Sequence, residues 1–336
     1  MMRRIRIAAA VAALLTLAAG GARADGPVKI TLAWTTVPGQ LLASFYQHPE
    51  MLKHYGKSYT VQPVYYKGSG PQITALAAGE LDLALYAPDA LAYSVENAGL
   101  KDIRVIGDAT RDGHGDYNSR KYMVLANSPI RTIEDLKGKV LGTNSIAGAM
   151  DTAMRVILRR HGLQDRRDFQ VVELDFPHQF PALLAGKIDL ASIPLPFSVS
   201  VEKTGKARTL FTMKDAMGES DMTIITARGA FIAAHRAALV DFFEDTQRVM
   251  HWFYDPANRP AALAMVAAFT KRPTSFFADW LLTKKDDYRD PDIRPNLKAV
   301  QHDINIEAKM GLLKRPIDVA KYADLSLVDD AAKRSR

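Results

Sequence analysis

The 336-residue chain has no cysteine. It therefore has no disulfides, and the lipid anchor that bacterial lipoproteins attach to a cysteine is excluded. Stability must come from buried apolar surface, and a chain of this length supplies enough for two cores. Long apolar runs are also scarce. The longest, Ile7 to Gly20, falls short of the roughly 20 residues a bilayer span needs. It follows a basic start (Arg3, Arg4, Arg6) and precedes Ala22-Arg23-Ala24, so residues 1–24 read as a cleaved secretory signal peptide and the protein as periplasmic. Removing Arg3, Arg4, Arg6 and Arg23 takes the formal charge from +7 to +3. The only basic block is the tail Lys333 to Arg336, expected as a frayed end, so nucleic-acid binding is not expected.

Catalytic and nucleotide motifs are missing as well. The eight histidines form no H-E-x-x-H pairing, so no metal is expected, and G-x-S-x-G is absent. Gly68-Ser69-Gly70 lacks the third glycine of a dinucleotide fingerprint, since Ile73 stands there, and no Gly-Lys-Ser/Thr completes a phosphate loop. Ser145 and Asp151 are read as helix-start residues, not as a nucleophile and its partner. The chain is read as non-enzymatic and cofactor-free.

What the sequence does contain is alternation. VKITLAW (28–34), 59–66, 81–87 and 103–109 read as strands, with helices over 40–54, 71–78 and 89–98. The polar stretch RDGHGDYNSRK (111–121) interrupts this order, which then resumes to about residue 227 and gives way to helices. KKDDYRDPDIRPN (284–296) reads as a polar loop. PQITALAAGELDLALYAPDA (71–90) aligns without gaps on HQFPALLAGKIDLASIPLPF (178–197), sharing Gln72/Gln179, Gly79/Gly186 and Asp82/Asp189 besides alanines and leucines. Two equivalent α/β lobes, each with a mainly parallel sheet, follow from that repeat. The segments expected are 25–114 for the first part of lobe 1, 115–228 for lobe 2, and 229–336 for the return to lobe 1 with C-terminal helices.

Ligands of open parallel sheets bind beyond the carboxyl ends of the strands. Applied to both lobes, that rule selects Trp34, Thr35, Gly68, Ser69, Gly70 and Tyr86 from the first. From the second it selects Asn144, Ser145, Phe176 and Pro194, with His178 near the rim. Helix N-termini at 35–40, 69–72 and 144–148 would supply N–H donors to an anion. The glycine turn on one jaw faces an aromatic-and-proline turn on the other, which points to a ligand with one polar and one apolar end.

The segments YKGSGPQITALAAGELDLALYAPDALAY, IEDLKGKVLG and GLLKRPIDVAKYADLSLV resemble the periplasmic solute-binding proteins of ABC importers. The branch is the sulfonate/taurine/nitrate type that includes pyrimidine-precursor binders. The resemblance implies a type II two-lobed fold that closes like a hinged clamp, with the C-terminal helices packed on the first lobe. It implies a monomer that carries a small organic solute to an inner-membrane permease with a cytoplasmic ATPase, or a ligand sensor of the same build. At 143–151 the chain reads TNSIAGAMD where many sulfonate binders have a Gly-Ser pair and a nearby histidine. A sulfonate, a carboxylate and a neutral ring all stay open as ligands.

Overall fold

The alternating pattern folds into two five-stranded arrays of the same order. The computed structural model describes residues 26–334; the expected signal segment, 1–24, lies outside them. In chain order, the first lobe begins with β1 (Val28–Trp34), α1 (Leu42–Phe45), β2 (Tyr59–Tyr65), α2 (Ser69–Ala78), β3 (Ala84–Tyr86), α3 (Pro88–Glu96) and β4 (Ile103–Asp112). The second lobe holds β5 (Lys121–Leu125), β6 (Val140–Thr143), α4 (Ala149–Arg160), β7 (Gln170–Glu173), α5 (Phe176–Leu184), β8 (Leu190–Ile193), α6 (Phe197–Lys203), β9 (Ala207–Thr212) and α7 (Met213–Met217). The chain then returns through β10 (Ser220–Arg228) and ends in α8 (Gly229–Tyr254), α9 (Arg259–Thr270), α10 (Leu297–Lys309) and α11 (Ser326–Arg334).

The second sheet runs β7-β6-β8-β5-β9. In the first lobe, β1-β2 and β3-β10-β4 are joined by a parallel bridge between Leu32 and Leu83, giving β2-β1-β3-β10-β4. β10 and β5 hold the same place, each antiparallel to both neighbours. Because β10 hydrogen-bonds to β3 and β4, the return to the first lobe comes before Ser220, not at the expected residue 228.

The polar residues shared by the repeat have structural duties. Gln72 bonds both main-chain groups of Leu85: its Nε2 donates to the carbonyl (2.9 Å) and its Oε1 accepts from the amide (2.8 Å). Gln179 Oε1 accepts from the amide of Ser192 (2.8 Å), the residue equivalent to Leu85. Each glutamine pairs main-chain groups of a central strand just past the point where its parallel neighbour stops pairing with it. Asp82 Oδ2 accepts from the Thr31 amide (2.8 Å), and Asp189 Oδ2 from the Val140 amide (2.9 Å), tying each central strand to its parallel neighbour. Gly79 and Gly186 end their helices at φ 74° and 65°, where a side chain would be strained.

The C-terminal helices pack on the first lobe, as expected. Leu239, Phe242, Phe243 and Phe253 of α8 share a buried cluster with Leu32 and Ile106, and Val300 and Ile304 of α10 pack with Leu91 and Val105. Each fully buried aliphatic or aromatic side chain there contributes about 1.5–3 kcal/mol. Three local expectations change. The helix expected over 40–54 is only α1 and a 3-10 turn at Pro49–Met51, since Pro49 has no amide to continue it. Arg334 does not fray: on α11 it bonds Asp241 of α8 (2.8 Å). The polar loop 284–296 is largely internal, with Asp286, Asp287 and Arg289 at most 2% exposed.

Candidate ligand-binding cleft

The loops beyond the strand ends of the two lobes meet and enclose a chamber of about 60 Å³. Seven of the ten candidate residues line it: Thr35, Gly68, Ser69, Tyr86, Asn144, Phe176 and Pro194. Three do not. Gly70 lies beyond it within α2. Ser145 is buried against Gly68 across the cleft, and its hydroxyl turns back to the Ile146 carbonyl (3.3 Å). Trp34 lies outside the chamber, edge-on to Tyr65 and Phe269, in a larger vestibule of about 330 Å³ that shares Thr35, Thr36 and Phe176 with it. His178 is exposed and lines neither space.

The expected helix N-termini also shift. Residues 35–40 form a turn in which the Thr35 amide donates to Gln40 Oε1 (2.6 Å), so that N–H is taken. α2 and α4 begin at the chamber, after Gly68 and Gly148, and neither start has a side-chain cap. Their first-turn amides, one set from each lobe, are left for a ligand, with the positive dipole ends aimed at the same space. Asn144 instead latches the lobes: its Nδ2 donates to the Lys67 carbonyl (2.7 Å).

The chamber is also lined by Thr36 and Gln40 of the expected 35–40 segment, whereas sequence reasoning missed Thr110, Met150, Met222, Thr223 and, above all, Arg120. Arg120 lies at the end of the polar crossover 111–121 and is, among the described residues, the only charged side chain lining the chamber. Its Nη1 donates to Asp112 and its Nη2 to Asp287, both at 3.1 Å. A guanidinium has five N–H groups, so Nε and one proton on each terminal nitrogen remain uncommitted. Burial raises the Asp112 pKa, and the Arg120 charge and hydrogen bonds work against that rise. Thr110 Oγ1 is buried with no partner among the described residues and also borders the chamber. Tyr86 is pushed up to about 12 by burial, so its hydroxyl keeps its proton. Arg120 and the two uncapped helix starts bring donors to this space, and its hydroxyls can serve as donors too.

A second interlobe bond lies beside the chamber. Thr152 Oγ1 of α4 donates to Asp89 Oδ2 of α3 (2.7 Å), both residues being buried. Burial pushes Asp89 up to about 7 despite the Thr152 and Ala90 hydrogen bonds, and Asp151 adds to the rise. Glu307 and Asp303 of α10 interact with Asp89 and are themselves raised by burial, while Arg155 is held by Asp151 and Asp165. Were the lobes to separate, water would reach Asp89 and return it toward its ordinary value near 4. The arrangement with the lobes together would then bind the extra proton, its advantage complete below about pH 4 and lost as pH rises through about 7. Ligand affinity measured by calorimetry from pH 4.5 to 8.5 should fall with rising pH and level off above 7, and Asp89→Asn should flatten that profile. A wild-type profile that is already flat would contradict this linkage.

Two lobes of equal sheet order, joined by crossovers and closed over a donor-lined chamber, define a type II periplasmic-binding-protein fold. The chain belongs to the NMT1/THI5-like family, whose model matches residues 60–259. Among solved structures it is similar to the alkanesulfonate-binding protein SsuA from Xanthomonas axonopodis pv. citri bound to MOPS, at 17% identity and TM-score 0.69, covering 90% of this chain and all of that one. It is similar to the nitrate-binding protein NrtA from Synechocystis at 11% identity and TM-score 0.72, covering 92% and 89%. The desulfurization enzyme DSZB shares the fold at 15% identity and TM-score 0.63, covering 92% and 100%. No curated protein matches this chain.

Proposed function

We propose that this chain is a periplasmic solute-binding subunit that captures a small organic oxyanion between its lobes and passes it to an inner-membrane ABC permease and its ATPase. The observation that carries this reading is the chamber's donor set. Two uncapped helix starts from opposite lobes, Arg120, and the hydroxyls of Ser69 and Thr110 converge on about 60 Å³. An anion taken out of water needs such replacement donors, and charge-assisted hydrogen bonds are the strong ones. A sulfonate, carboxylate or nitrate-like group matches. A whole ring does not, because a cavity that holds benzene measures about 150 Å³. The alternative of a neutral pyrimidine-like ring inside this chamber is thereby disfavoured.

The enzymatic reading finds no support in the lining. Among the described residues, no Cys, His, Lys, Asp or Glu borders the chamber, so no nucleophile–base pair of these types stands there. The DSZB structure with biphenyl-2-sulfinic acid is of a cysteine-to-serine mutant, and this chain has no cysteine. A thermal-shift screen of sulfonates, carboxylates, nitrate and pyrimidines tests the reading. The oxyanions should raise the melting temperature through binding to the folded form. A response from pyrimidines alone, or from none, would refute it.

Ser69 gives a local test. Its Oγ accepts from the Ala87 amide (3.3 Å) and lines the chamber. Ser69→Ala should weaken oxyanion binding by roughly 5- to 50-fold, corresponding to about 1–2.5 kcal/mol. The loss in unfolding free energy should stay near 1 kcal/mol. Unchanged affinity would remove Ser69 from the site.

A further inference from the structure

The chamber holds a charged head, and the structure also shows where the rest of the solute goes. The vestibule of about 330 Å³ opens from it past Thr35, Thr36 and Phe176. Its walls are aromatic on both sides of the cleft. From the first lobe come Trp34, Tyr65 and Phe269, with Trp34 edge-on to both others at centroid distances of 5.1 and 5.5 Å. From the second come Phe176 and Phe197, 6.0 Å apart and tilted by 30°. Tyr65 is 52% exposed, a large aromatic surface left uncovered at the cleft mouth. Lys67 and Arg272 border the same space with one acid, Asp175, a balance that suits an anion passing inward.

We infer that the solute is an aryl oxyanion, its sulfonate or carboxylate in the chamber and its ring in the vestibule between the two aromatic walls. The inference rests on the oxyanion reading above and adds the class of the remainder. Volume decides the partition: the vestibule exceeds the roughly 150 Å³ that accommodates benzene, and the chamber does not reach it. Shape decides the chemistry. Aromatic faces presented by both lobes favour a flat partner in stacked or edge-on contact, whereas an alkyl chain uses only the area. Lobe closure brings the walls together, so ring and head are gripped by one movement.

Matched pairs test this by titration calorimetry on the mature protein: methanesulfonate against benzenesulfonate, and acetate against benzoate. The aryl member of at least one pair should bind about tenfold more tightly or better. Tyr65→Ala and Phe197→Ala should each shrink the aryl-to-methyl affinity ratio toward one. Tyr65 is half exposed, so its variant should keep the fold, with a thermal melt as the check. A wild-type ratio near one, with the methyl compounds binding measurably, overturns the aryl inference and leaves the oxyanion reading standing. An aryl preference that survives both substitutions overturns the vestibule assignment. Failure of all four compounds to bind overturns the inference together with the reading beneath it.

Discussion

Gly68→Ala should weaken ligand binding by about 10- to 100-fold while leaving the stability of the fold nearly unchanged. Gly68 has φ 176°, extended backbone that any residue adopts, so alanine adds no local strain. The difficulty lies across the cleft. A Cβ at Gly68 would stand 2.5 Å from Ser145 Cβ and 2.8 Å from its Oγ, and the first of these belongs to the stem of a buried residue. The lobes must back away or distort, at a cost of about 1–3 kcal/mol, and each 1.4 kcal/mol is tenfold in affinity. That displacement would also stretch the Asn144–Lys67 latch and the Thr152–Asp89 bond. Calorimetry with an oxyanion identified by the thermal-shift screen measures the loss. Ser145→Gly in the same chain should restore most of it, because the colliding atoms are gone. If the double variant binds as poorly as Gly68→Ala, the clash is not the cause.

Arg289→Met should lower the unfolding free energy by about 3–5 kcal/mol, the usual effect of removing one partner from a buried ion pair. Arg289 is 1% exposed, in a segment whose composition reads as a solvated loop. Its two terminal nitrogens donate to Asp286 at 2.9 and 3.2 Å. Nε and Nη2 reach the carbonyls of Gly39 (3.1 Å) and Pro38 (2.6 Å). The substitution therefore strands a carboxylate and three carbonyls, those of Pro38, Gly39 and Asp287, in the interior. Pro38 and Gly39 belong to the turn bearing Thr36 and Gln40, so ligand affinity should fall as well. Urea unfolding measures the stability term. Adding Asp286→Asn should recover part of it by removing the stranded charge. A loss under 1 kcal/mol for Arg289→Met would mean that water or a neighbouring group replaces the guanidinium.

How much of this was legible in advance depends on the range of the interaction. Periodicity and helix-stop glycines are local, and they foretold the alternation, the repeat and the turn at Gly68-Ser69. The strand-end rule brought seven of its ten candidates to the chamber because topology carries those loops to one place whatever their composition. It failed where a side chain turns away from its loop: Ser145 packs on Gly68, and Trp34 faces the vestibule. Buried charge was invisible for a different reason. Arg120 is accommodated by Asp112, near in sequence, and by Asp287, 167 positions away. The polarity of 284–296 signals water only if such partners are absent. Nothing within a short window says that they are present.

The place of β10 has a consequence for the order in which the protein can assemble. Every strand of the second sheet lies between Lys121 and Thr212, an unbroken stretch that can complete its own hydrogen bonding. The first sheet cannot do the same. Its strands β3 and β4 flank β10, which is reached only after the whole second lobe has been made. As the chain emerges from the ribosome, the older half waits with a gap in its middle, and the younger half can finish first. Pairings of such sequence separation form slowly and leave strand edges open to wrong partners in the meantime. The last third of the chain closes that gap, and α8 and α11 then cover the older half.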